Sequence, residues 1–188
     1  MVSGNSMAHV YVGLDTQARR PWPELDQKWA ARLEPVLSHP AIDLVATRRS
    51  PSAIDVRRGN AHAEIIVGQR GLSYRPVTGN PLALDPFEEE CDAAVHERTF
   101  ATSYPDGVTQ LVRLVLAGRS GDVVVSAAPG WDLRRRYEPI SHVSSHGALH
   151  AAHMLVPLVG NRRLKERPRR TVDLHGSLIS GLGLRNPQ

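Results

Sequence analysis

The sequence predicts an α/β fold, a sheet flanked by helices and carrying a small antiparallel meander, and three stretches support that prediction. From Asp106 to Gly118, Val108, Leu111, Val112 and Val115 recur at helical spacing, and the apolar, β-branched run Asp122 to Ser126 follows at once, which makes an αβ unit. Further upstream, Ile54 to Arg57, Ala61 to Val67 and Leu72 to Val77 are separated by the turn formers Arg58-Gly-Asn60 and Gln69-Arg-Gly71, the pattern of successive hairpins. Leu25, Trp29, Leu33 and Val36 or Leu37 fall on one face of a helix over 23–37, whose first turn suits Pro23.

Taken in order, a tail leads into a short strand at His9 to Gly13. The helix closes at Ser38-His-Pro40, and Ile42 to Thr47 reads as a strand. The meander occupies about 53–78 and ends at Thr78-Gly-Asn-Pro81. His62 lies within one of its apolar runs, where core or edge packing accounts for it. A polar helix is expected to include Phe87 to His96, with Glu88, Glu89, Glu90 and Asp92 forming a solvated face or, alternatively, a cation site. Asp106 is placed to cap the next helix and Gly118 to end it. After the strand, Ala128-Pro-Gly130 turns the chain out of the sheet. Two late helices are expected near Leu149 to Leu155 and Val172 to Leu182.

At 188 residues the chain has the size of a single domain, and folding of such a chain buries roughly two-thirds of its surface. Apolar residues make up 41% but aromatics only 5%, so the core must be built from Val, Leu, Ala and Ile. No apolar run approaches the length of a membrane span, and no basic-then-apolar leader opens the sequence. Together with the single Cys91, which excludes an intrachain disulfide framework, these features set the expectation of a cytoplasmic protein without membrane partners, with a cysteine-poor secreted protein as the alternative that the cysteine count leaves open.

Four of the nine histidines, His142, His146, His150 and His153, crowd one stretch. Neutral imidazole is a common ligand of zinc and related ions. His146 is the foremost candidate ligand: it follows the strand and its Pro-Gly turn, ligands in open α/β sheets collect beyond the carboxyl ends of strands, and Gly147 beside it allows close approach to the backbone. Capping of the next helix or packing in the core are the alternatives. His142 and His150 are weaker candidates. No Gly-x-Ser-x-Gly elbow, dinucleotide loop, phosphate-binding loop or His-Glu-x-x-His occurs. Ser144 and Ser145 adjoin His146, but adjacency supplies neither the geometry nor the carboxylate of a triad.

Gly121-Asp-Val-Val-Val, Pro129-Gly-Trp131, Ser145-His-Gly-Ala-Leu149, Met154-Leu-Val-Pro-Leu158 and Arg170-Thr-Val-Asp-Leu174 follow one another in an order that resembles the C-terminal part of the alkaline phosphatase superfamily, most closely its type I phosphodiesterase and nucleotide pyrophosphatase branch. Ser3-Gly-Asn5 with Ala8-His-Val-Tyr11 resembles the segment just downstream of that family's Asp-His-Gly motif. The resemblance is specific over about 121–184 and weak between. It implies a partial alkaline-phosphatase-like domain with a parallel sheet, in which His146 is one ligand of a two-zinc site. It also implies a phosphodiester or pyrophosphate hydrolase working through a Thr or Ser nucleophile. That nucleophile, the strand-borne Asp ligand and the Asp-His-Gly motif are not in this sequence, and His175-Gly176 stands where the family usually has a proline nearby. The implied chain is therefore inactive without an N-terminal half. The other reading is a non-enzymatic binding or interaction module of degenerate fold. With half of a parallel sheet absent, the missing half, or self-association through an unpaired edge at Val123 to Val125, is the expected partner.

The net charge of +4 is concentrated in Asn161 to Arg170, where six basic residues face the single acid Glu166; Arg134-Arg-Arg136 is a second basic run. Without interleaved aromatics or a reading motif, the longer run is a surface connector rather than a nucleic-acid site. Changing Arg162, Arg163, Arg169 and Arg170 to Ser is accordingly expected to leave the melting temperature nearly unchanged. Anisotropy titrations at two salt concentrations should show weak binding to nucleic acid that falls steeply with salt; sub-micromolar affinity near physiological salt, abolished by the four changes, would make nucleic-acid binding the primary function.

Overall fold

The computed structural model describes residues 5–12, 20–133, 145–161 and 168–182. They belong to two compact units divided between Leu155 and Val156. In the first unit the elements are β1 (Met7–Val10), α1 (Trp22–Leu37), β2 (Ile42–Ser50), β3 (Ala53–Arg58), β4 (Ala61–Val67), β5 (Leu72–Thr78), β6 (Phe87–Glu90), α2 (Asp92–Thr99), α3 (Gly107–Val115), β7 (Val123–Ala127) and α4 (Ala151–Met154). The second unit contains α5 (Thr171–Gly181), where the Asp173 carboxylate accepts the amides of Arg169 and Arg170 and so opens the helix.

The fold is a mixed α/β fold built on one antiparallel sheet with helices against it. Strand order is β1-β7-β2-β3-β4-β5-β6. Every pairing is antiparallel, so the parallel sheet implied by the resemblance is not what these residues form. The reason is local: four of the six pairings join strands that are consecutive in sequence, from β2 through β6, and such strands pair antiparallel. β7 then enters between β1 and β2, antiparallel to both, which makes β1-α1-β2 a split crossover around it. The expected unpaired edge at Val123 to Val125 is therefore filled on both sides. Among the described residues the sheet's outermost strands are β1 and β6.

Two cores flank the sheet. Leu44, Val56, Ile65, Tyr74 and Val124 pack with Val108, Leu111 and Val115 of α3 on one face. On the other face Trp22 and Leu25 of α1 meet Val123 and Val125. The polar helix expected over 87–96 divides instead into β6 and α2. Phe87 is buried beside the Tyr74 ring, with centroids 6.1 Å apart, and Glu89 has a positive φ of 47° that no continuous helix permits. Pairing with β5 thus overrides the helix propensity of the glutamate run. Gly71 makes that pairing possible, because a Cβ there would lie 2.0 Å from the Glu90 carbonyl oxygen. Asp106 does precede α3, but in the left-handed region (φ 56°) and without a side-chain cap; its carboxylate accepts from Gln110 Nε2 at 2.7 Å. No helix among the described residues is long and apolar enough to cross a membrane.

Tyr74 is fully buried, and its hydroxyl donates to Asn80 Oδ1 (2.7 Å) while accepting from the Leu82 amide (3.3 Å). Burial pushes its pKa from 10.0 up to about 12, against the smaller opposing effect of the Leu82 amide. Because the folded pKa is the raised one, this phenol contributes stability that is fully present below about pH 10 and is lost as pH rises through about 12. Urea unfolding is expected to show a decline across that window that is shallower in Tyr74→Phe. An equal decline in both proteins would show that the phenol is not coupled to folding.

Candidate functional site

The antiparallel pairing of Met7 with Ser126 brings the carboxyl end of β7 beside the amino end of β1. The Ser145–Leu149 loop docks there. The Ser6 amide donates to the His146 carbonyl (3.0 Å), and the Leu149 amide donates to Ser126 Oγ (3.0 Å). Ser6 Oγ donates to the Trp131 carbonyl at 3.2 Å, which leaves Ser145 as the donor in the 2.5 Å contact between the two serine hydroxyls. Ala148 and Leu149 are buried, and Gly147 has a φ of 100°, in the region open to glycine. The backbone on both sides of His146 is therefore anchored, while its side chain is exposed. It neither caps a helix nor enters the core, which were the two alternatives.

The remaining histidines do not gather around it. His150 stands at the amino end of α4, its Nδ1 accepting from the Ala152 amide (3.2 Å) and its ring edge-on to Tyr104. His153 lies half-buried on α4. His142 lies outside the described residues. His62, on β4, bonds through Nε2 to Asp55 Oδ1 at 2.7 Å. The acids considered as a cation site are held by arginines: Glu88 by Arg75, Glu89 by Arg70, Glu90 by Arg98 and Asp92 by Arg113. Among the described residues no group of three or more His, Cys, Asp or Glu side chains converges in a way that could hold a metal ion. The described residues thus do not make up the four-ligand set zinc requires, and an ion at His146 would need its other ligands from elsewhere.

Two features escape sequence reasoning. Asp43, only 8% exposed, accepts from Arg58 Nε and from the Tyr104 hydroxyl, each at 2.8 Å. Burial, then the bond to Asp43 and its charge, push the Tyr104 pKa upward against the opposing effect of Arg58. The available signal was an acid interrupting the apolar run Ile42 to Ala46. The second feature is a cavity of about 630 Å³ between α1 and the strands β2 to β5, lined by Glu34 and Leu37 from the helix and by Thr47, Arg57 and His62 from the sheet. Its residues are dispersed over 22–78, and no local motif marks them.

Comparison of the chain with protein-family models, with curated proteins and with solved structures found no match.

Asp43 and Tyr104 are buried and Arg58 reaches Asp43 from the exposed side, so removing one of the three leaves the others without their partner. Tyr104→Phe is expected to cost about 1 kcal/mol, and Asp43→Ala about 1–3 kcal/mol because a buried hydroxyl and a guanidinium then lose their acceptor. In urea unfolding the double variant should be less destabilised than the sum of the two single variants; strict additivity would mean that Asp43 and Tyr104 are not coupled.

Proposed function

We propose that this chain is the C-terminal portion of a metal-dependent phosphoester hydrolase of the alkaline phosphatase superfamily, type I phosphodiesterase and nucleotide pyrophosphatase branch. In this reading His146 is its contribution to a zinc site completed by residues of an N-terminal half, and the protein acts in the cytoplasm. The observation that carries the reading is the seating of Ser145-His146-Gly147 beyond the carboxyl end of β7. The loop's backbone is held by Ser6 and Ser126 while the imidazole stays exposed, as a ligand to a shared ion must be. The order of sequence motifs that resembles the family supports the same conclusion. Zinc, when bound, would supply Lewis acidity toward a phosphoryl oxygen. The chain's own part is to hold one imidazole in a fixed loop.

A second reading, a non-enzymatic binding module, is favoured by the cavity against α1, whose lining includes Glu34 and Arg57, side chains that make no ion pair or hydrogen bond among the described residues.

Calorimetric zinc titration separates the two. The first reading expects weak binding of one ion, lost in His146→Ala, and no turnover of p-nitrophenyl phosphate or its diester with zinc or manganese present. No zinc heat at all favours the module. Turnover that disappears in His146→Ala would mean that the chain carries a complete site and is not a partial domain.

A further inference from the structure

The cavity against α1 has two walls of opposite character. The helix wall presents Glu34 and the sheet wall presents Arg57; both are exposed, and among the described residues neither side chain makes an ion pair or hydrogen bond. Both line one concavity, and among the described residues no ion pair joins them.

Most of the charges around them are engaged. Asp55 accepts from Arg49 (3.1 Å) and from His62 (2.7 Å), Arg49 also reaches Glu64 (2.9 Å), and Arg75 holds Glu88. Asp43, which also lines the cavity, is matched by Arg58 and Tyr104. The two unmatched charges are thus a carboxylate on one wall and a guanidinium on the other.

Between them the lining offers short polar groups and an apolar base. A carboxylate only accepts, so the Asp55 contact keeps a proton on His62 Nε2 and leaves Nδ1 available to a ligand. Thr47 and Asn60 add a hydroxyl and an amide, and Trp22, Ile42 and Val45 supply apolar surface. The volume of about 630 Å³ falls within the roughly 300–1,000 Å³ range of small-molecule sites. A dipeptide, extended over about 7 Å, places a cation and an anion at opposite ends with apolar side chains between.

We propose that this cavity binds short zwitterionic peptides of two or three residues with apolar side chains. The C-terminal carboxylate pairs with Arg57, the N-terminal ammonium pairs with Glu34, the peptide group meets His62 Nδ1 and Thr47, and the side chains rest on Trp22 and Val45. A guanidinium suits a carboxylate because its fork donates two parallel hydrogen bonds. The site is independent of His146 and of any metal.

Isothermal calorimetry with leucyl-leucine and with its N-acetylated, C-amidated counterpart tests this on the unaltered chain. The expected result is saturable binding of the zwitterion and at least about tenfold weaker binding of the blocked peptide. Arg57→Ala should weaken the zwitterion by about tenfold, and Glu34→Gln should weaken the free-amine peptide while leaving its N-acetyl form unaffected. Melting curves matching the parent are expected for both variants, since exposed, unpaired side chains contribute little to stability. His146→Ala should bind the peptide as the parent does, so the outcome stands apart from that of the hydrolase reading. Absence of saturable heat at millimolar peptide, equal affinity for the blocked peptide, or unchanged affinity in a folded Arg57→Ala variant would each overturn the proposal.

Discussion

The fold depends on burial of β7 on both faces. Val123, Val124 and Val125 are at most 3% exposed, yet alternation along a strand sends Val124 to the core under α3 and its two neighbours to the core under α1. A Val side chain taken fully out of water is worth about 1.5–3 kcal/mol, so three in a row bind both helical layers to one strand. Because β7 also pairs with β1 and β2, it closes the gap between the two ends of the β1-α1-β2 crossover. Removing it would part β1 from the sheet and strip α1 of the surface that Trp22 and Leu25 cover.

The outer half of the sheet is organised differently. α2 and α3 are associated with the first core, whereas the opposite face of β3 to β5 carries polar and charged side chains. Asp55 stands directly opposite Glu64, an arrangement that repels. Arg49 relieves it by reaching both carboxylates, and Arg75, opposite Glu64 on the next strand, continues the alternation toward Glu88. These partly solvated pairs contribute little individually. Their effect is on register: a slip of one residue would carry every charge into the core beneath α3.

The candidate metal loop and the cavity use different parts of this scaffold. Hydroxyls of Ser6 and Ser126, at the ends of two neighbouring strands, anchor the loop, so its position follows from the register of β1 on β7. The cavity arises where α1 leaves part of the sheet uncovered and the β3–β4 turn contributes Asn60. Neither feature needs the other, so one can retain binding chemistry whatever the state of the other.

Local periodicity was enough to determine α1, β2, the meander, α3 and β7, because each buries a face whose apolar spacing matches its own repeat. The Pro-Gly turn before the loop and the glycine beside the histidine put forward His146 as a candidate ligand. Four things were decided only in three dimensions: the antiparallel insertion of β7 between β1 and β2, the split of 87–96 into strand and helix, the pairing of buried Asp43 with Arg58 and Tyr104, and the placing of Glu34 and Arg57 on two walls of one cavity. Each rests on residues a dozen or more positions apart in the chain. A periodic pattern states which face of an element is buried; it does not state which element will bury it.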